Sequence, residues 1–143
     1  MSSWEQRGNY LVKVSLRCLK GHKTFNLCRS HLVQASQISK GTIYNHFTTE
    51  ADLMVAVGCA QFEQWLVQAK ADDKHYPDPY LRFIFHYCHR LYVILSEQDF
   101  VMERVLPNET LLNNCSDIYR QRYQKLTAQA YQWNADTMNQ IGH

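Results

Sequence analysis

The chain has 143 residues, of which 45% are hydrophobic and 20% charged, values that describe one domain-sized chain with an ordinary core. Its net charge of +2 hides a division: residues 1–49 carry seven Lys and Arg against one acid, a net +6, while residues 50–143 carry eight against twelve, a net −4. These figures exclude a disordered, collagen-like or purely coiled-coil chain, and a basic head on an acidic body is the asymmetry expected where one end meets a polyanion.

Hydrophobic periodicity is helical along the whole chain, and no alternating Val/Ile/Thr-rich run of strand length occurs. The expected fold class is therefore all-α. A first helix is expected over about residues 5–20, with Tyr10, Leu11, Val14 and Cys18 near one face and Gly21 placed to end it. A second, short helix covers about Leu27–Ser36 and presents Leu27, Leu32 and Ala35. Ser39, a good N-cap, opens a third short helix that runs to about Phe47.

Thr49 and Asp52, three residues apart, form an approximate capping box for a long helix expected to reach about Ala71. Its two apolar stripes, one through Val55, Cys59, Phe62, Leu66 and Ala69 and one through Leu53, Ala56, Val57, Ala60 and Val67, call for two neighbours. Asp72–Pro79 reads as a loop, because its charges and its two prolines oppose helix. The next helix, about Pro79–Gln98, is apolar nearly all round and is expected to be central. A short piece is expected around Phe100–Leu106, ending at Pro107. A last helix starts at Glu109 or at Ser116 and runs to Gln140, with a narrow seam of Tyr119, Tyr123, Leu126, Ala130 and Trp133.

The five cysteines are odd in number and no two have CxxC spacing, so they are expected mostly as small buried hydrophobes. His86, Cys88 and His89 lie within four residues, but a metal needs three or four converging ligands and the fourth is missing; neither a metal nor any other cofactor is expected. No nucleophile motif, useful carboxylate pair or phosphate-cradling glycine loop occurs, so the chain is not read as an enzyme. No apolar run approaches the ~20 residues of a membrane-spanning helix and the first residues open no signal-peptide core; the expected location is cytoplasmic, with no membrane partner.

The functional signal lies in the basic head. Two short helices with a tight break between them suggest a helix-turn-helix, whose second helix enters the major groove of DNA. The run Ser39-Lys40-Gly41-Thr42-Ile43-Tyr44-Asn45-His46-Phe47, followed by Thr48-Thr49-Glu50-Ala51-Asp52-Leu53, resembles the recognition-helix signature of the TetR/AcrR-like transcriptional regulators. The match covers about residues 27–57 well and residues 7–26 in outline. Lys40 suits a phosphate or a guanine edge, Gly41 permits close approach to the duplex, and Thr42 can donate to phosphate or pack on a thymine methyl. By resemblance, Ser39, Lys40, Gly41, Thr42, Tyr44, Asn45 and His46 form the DNA-binding set, with Ile43 and Phe47 anchoring the helix.

The resemblance implies a DNA-binding head over residues 1–49 and a ligand-binding and dimerisation body over residues 50–143. It implies a homodimeric regulator, a repressor released from double-stranded operator DNA by a small apolar or amphipathic effector. Candidate pocket residues in the body are Phe62, Trp65, Phe83, His86, Tyr87, Arg90 and Tyr123. Three positions depart from the family pattern: Gln37 replaces a glycine in the turn, Leu32-Val33 stands for the usual Ile-Ala, and Glu50 stands where a phosphate-contacting lysine is general. Family members generally end in two further antiparallel helices that pair in a four-helix interface. Here one long helix follows, which leaves the Tyr119–Trp133 seam as the candidate for a different interface. The alternative reading is a helical interaction protein that keeps the scaffold and does not bind DNA.

Overall fold

A computed structural model describes residues 1–22, 25–97 and 108–142, and every regular element among them is an α-helix. Helix α1 (Ser3–Leu19) starts where the Ser2 hydroxyl accepts from Glu5 N–H at 3.1 Å, with Glu5 itself in the first turn favouring the positive end of the helix. It buries Leu11, Val14 and Leu19, and Gly21 follows its end at φ 82°. Helix α2 (Arg29–Ser36) stops at Gln37, which takes the left-handed conformation at φ 58°, ψ 25°. A side chain costs about 1 kcal/mol or more there, which is why a glycine is the usual residue. Helix α3 (Lys40–His46) is capped by Ser39 and anchored by buried Ile43 and, just past its end, Phe47.

Helix α4 (Glu50–His75) is capped by Thr49 and runs four residues beyond the expected end at Ala71. The expected loop shrinks because Asp72 and Asp73 have partners that hold them in helix. Asp72 accepts from Gln68 one turn back (3.0 Å), and Asp73 accepts from Trp133 Nε1 (2.9 Å). Pro77 then forbids continuation. Both stripes of α4 are packed, one element or another covering most of the helix, although Val67 stays exposed.

Helix α5 (Pro79–Glu97) corrects an expectation: it lies at the surface rather than the centre. Its buried residues include Arg82 and His86, whereas Leu81, Ile84, Phe85, Leu91, Tyr92 and Leu95 are exposed. The expected piece at Phe100–Leu106 falls outside the described residues. Both starts proposed for the last helix occur, as α6 (Glu109–Asn114) and α7 (Asp117–Ile141). From the first turn of α7 Arg120 donates to the carbonyls of Leu112 (2.7 Å) and Cys115 (2.8 Å), which satisfies the end of α6 and fixes the turn between the two helices.

The seam of α7 is spent inside the molecule. Tyr119, Tyr123, Leu126 and Ala130 are buried, and α7 packs most extensively on α4, so the seam is not free to join another copy. One apolar cluster runs from Leu11, Leu32, Ile43 and Phe47 through Leu53, Val55 and Cys59 to Tyr119, Tyr123 and Leu126. The change of charge near residue 49 therefore does not divide the core. All five cysteines are free thiols; Cys59 and Cys115 are buried as expected, while Cys18 and Cys28 are half-buried and Cys88 is exposed. No described helix is long and apolar enough to cross a membrane.

Candidate functional site

The turn of Gln37, Ile38 and Ser39 sets the angle at which α3 leaves α2. Ser36 Oγ donates to the Leu32 carbonyl (2.6 Å) and accepts from Ile38 N–H (3.2 Å), and the Ser39 hydroxyl donates to Thr42 Oγ1 (2.9 Å). Tyr10 of α1 donates to the Ser36 carbonyl (3.1 Å), so the end of α2 is also held from α1. With Ile43 and Phe47 fully inward, the outer side of α3 falls to Ser39, Lys40, Gly41 and Asn45, which are exposed; Thr42 and Tyr44 are half-buried at its edge.

Arg29 organises that edge, and its position at the start of a short polar helix had given no sign of this. Its guanidinium lies 4.1 Å from the centre of the Tyr44 ring, donates through Nη1 to the carbonyls of Phe47 (2.9 Å) and Thr48 (3.0 Å), and pairs through Nε with Glu50 (2.9 Å). Lys40 Nζ stands 5.3 Å from the same ring, so Tyr44 is flanked by two cations. Glu50 also accepts from the Arg29 backbone N–H (3.1 Å), acting as the missing cap of α2. The carboxylate that departs from the family pattern is thus neutralised by the chain itself.

His46 corrects the sequence reading. The resemblance makes it a DNA-contacting residue, but it is 2% exposed and stacks on Trp4 of α1, with ring centroids 4.6 Å apart and 22° between planes. The helical step that turns Ile43 and Phe47 inward turns residue 46 with them, and a polar side chain at the inner boundary took the buried place. Neither ring nitrogen has a hydrogen-bond partner among the described residues. Burial, with a smaller contribution from the charge of Arg7, pushes its imidazole below the ordinary histidine value.

A second polar node joins this region to α7. Asp52, buried at the first turn of α4, accepts from Ser116 N–H (2.6 Å) and the Ser116 hydroxyl (2.7 Å), and from Thr48 N–H (3.1 Å) and the Thr48 hydroxyl (2.9 Å). Burial by itself would push the carboxyl up; the bonds from Ser116 and Thr48 outweigh it and hold the group below the usual carboxylate value. Beside it Tyr119 donates to the His46 carbonyl at 2.8 Å. The sequence marks Asp52 as the acid of the Thr49 capping box and gives no sign of Ser116, 64 residues away.

The expected pocket is not where the candidate residues lie. Trp65 packs edge-on against His86 (4.6 Å), Trp133 (5.4 Å) and Tyr87 (6.3 Å); Phe83 meets Tyr87, and Phe62 meets Tyr123. These rings fill the space between α4, α5 and α7 with one another. His86 is wholly buried there, 2.8 Å from Asp72 through Nδ1, and burial pushes it below its ordinary value despite the opposing pull of the Asp72 carboxylate. Arg90 is half-buried on α5.

A groove of about 810 Å³ lies instead between α1, α4 and α7, and none of Phe62, Trp65, Phe83, His86, Tyr87, Arg90 or Tyr123 lines it. Its walls include Trp4, Val12 and Leu16 of α1, Ala56, Ala60 and Val67 of α4, and Ile118 and Tyr119 of α7, with Phe47 between them. Polar groups enter from Glu5 and Lys13 on one side and from the Glu63–Arg122 ion pair on the other (3.0 Å). The volume and the mixture of apolar wall with a few charges suit a small amphipathic molecule. Among the described residues no group of three or more His, Cys, Asp or Glu could hold a metal. Compared with protein-family models, with curated proteins and with solved structures, the chain has no match.

Proposed function

We propose that the chain is a homodimeric, ligand-responsive transcriptional regulator, a repressor that reads double-stranded operator DNA through α3. The observation that carries this reading is the division of α3 between an inner anchor, Ile43 with Phe47, and an outer side bearing Lys40, Gly41 and Asn45, within the segment of net charge +6. A helix-turn-helix reader needs that division, because its second helix must be fixed to the core while its free side enters the major groove. Tyr44, held between Arg29 and Lys40, would contact the duplex at the edge of the same side.

In this reading the effector occupies the groove between α1, α4 and α7. Trp4 lines the groove and stacks on His46 of α3, and Tyr119 lines it and bonds the His46 carbonyl. A ligand that displaces either side chain moves the C-terminal end of α3. It releases DNA only to the extent that it binds the released arrangement more tightly than the DNA-bound one.

The test is a gel-shift series with double-stranded DNA fragments at several salt concentrations. Retention that weakens steeply with salt is expected, and Lys40→Ala should weaken it further and lower the salt slope by about one. Absent retention, or retention indifferent to salt, overturns the reading. One contact favours the second reading, a helical interaction protein that does not bind DNA: the Arg29 guanidinium is already engaged by Glu50 and two carbonyls, which removes one cation from those open to phosphate.

A further inference from the structure

Toward the protein helix α5 turns Arg82 and His86 together with Ile94, all buried; toward solvent it turns Leu91, Tyr92 and Leu95, which are 57%, 68% and 61% exposed, with the less exposed Leu81, Ile84 and Phe85, the last having one face stacked on Tyr76. At 100° per residue these six, with exposed Cys88, fall within about a third of the helix circumference, and at 1.5 Å per residue they extend over about 21 Å. The stripe contains no charged residue; His89 and Arg90 lie off it. With roughly 200 Å² for a fully exposed side chain of this size, the stripe presents on the order of 600 Å² of apolar surface. That is at the upper limit of what monomers leave open and close to one partner's share of a standard interface.

The spacing of the stripe is self-complementary. Its apolar residues stand three, four and seven positions on either side of Cys88: Phe85 and Leu91, Ile84 and Tyr92, Leu81 and Leu95. Two antiparallel helices related by a two-fold axis at Cys88 set each residue against the one equally far on the other side, so every rung pairs apolar with apolar. Self-complementarity of this kind is what a two-fold interface requires. The other apolar seam suited to self-association, on α7, is consumed by α4. We propose that a second copy of this chain covers the α5 stripe, with the two helices antiparallel and crossing at Cys88. This rests on the homodimeric part of the function proposed above and names the surface that makes it.

Sedimentation of the full chain over a concentration series tests the proposal, beside the double variant Leu91→Asp/Tyr92→Asp. The wild type is expected as a dimer at micromolar concentration and the variant as a monomer with unchanged helical circular dichroism, because both side chains are exposed within one copy. A short bis-maleimide should link two wild-type copies, and Cys88→Ser should abolish the link although Cys18 and Cys28 remain. A monomeric wild type, a dimer that survives the double substitution in a helical protein, or a link that persists in Cys88→Ser each overturns the proposal. If the double variant loses helical content, the Cys88 link decides. The two ideas fail separately: a wild type that dimerises through α5 but retains no DNA removes the regulator reading alone, and a monomer that retains DNA in a salt-dependent way removes the interface alone.

Discussion

Helices α5 and α7, of 19 and 25 residues, have opposite construction. Along the sequence α5 is the more densely apolar, and α7 shows only one narrow seam on a polar helix. In the fold α7 buries that seam, Tyr119 to Ala130, against α4, while α5 buries Arg82 and His86 and leaves its apolar stripe outside. Polar groups along α7 meet partners: Trp133 reaches Asp73, Arg122 reaches Glu63, and Tyr87 of α5 reaches Asn134. Apolar content therefore does not rank helices by depth. A narrow stripe with polar groups placed to meet partners at its margins docks more completely than a broad one whose inner face must accommodate a histidine–aspartate pair.

The largest expected effect separates the two helices by stability. Leu126→Ala removes a buried side chain from the α4–α7 contact and should cost about 2–5 kcal/mol in urea unfolding, at any protein concentration. Leu91→Ala, on the exposed stripe, should leave the intrinsic stability within about 0.5 kcal/mol and reduce only the part that grows with protein concentration. Equal, concentration-independent losses at both positions would erase the distinction drawn between the helices.

The inner face of α5 gives the next effect. His86 and His46 are both held below the ordinary histidine value of 6.5, chiefly by burial. The unfolded chain takes up protons below about pH 6.5 that the folded chain refuses, so stability is full above that pH and declines as pH falls toward the folded values. The groups that face His86 act in both directions, Asp72 favouring the charged form and Arg90 and His89 opposing it. Urea unfolding at pH 7.5 and 5.5 should show the decline, and His86→Gln should make it shallower; an identical slope in the variant would remove His86 as a source. Asp52 adds a separate loss at lower pH: its stabilisation is present above its unfolded value of 3.8 and disappears as pH falls through the lower folded value.

The smallest effect lies away from both helices and serves as their reference. Gln37→Gly should raise stability by roughly 0.5–1 kcal/mol, because relief of the left-handed strain exceeds the added freedom of the unfolded chain. Thermal unfolding at fixed concentration measures it, and a lowered midpoint would mean that the glutamine side chain contributes contacts that offset the strain.

Much of the fold was legible because its determinants are local. Ser39 and Thr49 mark the starts of α3 and α4 by hydrogen bonds within one turn, Gly21 follows the end of α1, and the periods of Leu11 with Val14 and of Tyr119 with Tyr123 place inner faces. The candidate site was legible in part. Of the set that the resemblance implies, Lys40, Gly41 and Asn45 are exposed, whereas His46 is inside because the inner arc of α3 is wider than two apolar positions. Arg29 carried no local sign, since it is completed by the end of α3 and by Glu50, and the capping box that marked Asp52 showed only its bonds within one turn and not those from Ser116.

The sequence by itself determined most of the helical segments, the caps of α3 and α4, the segregation of positive charge into the first 49 residues and the anchored inner side of α3. These follow from hydrogen bonds and periodicities that span a few residues. Only the tertiary structure decided that α7 closes on α4, that aromatic rings fill the expected pocket while a groove opens beside α1, and that α5 turns its apolar stripe outward. The reason is that a helix with several apolar faces satisfies its local pattern equally well in several orientations. The choice between them depends on groups far away in the chain, and here the Asp72–His86 pair and the Arg82–Gln140 bond set the inward face of α5.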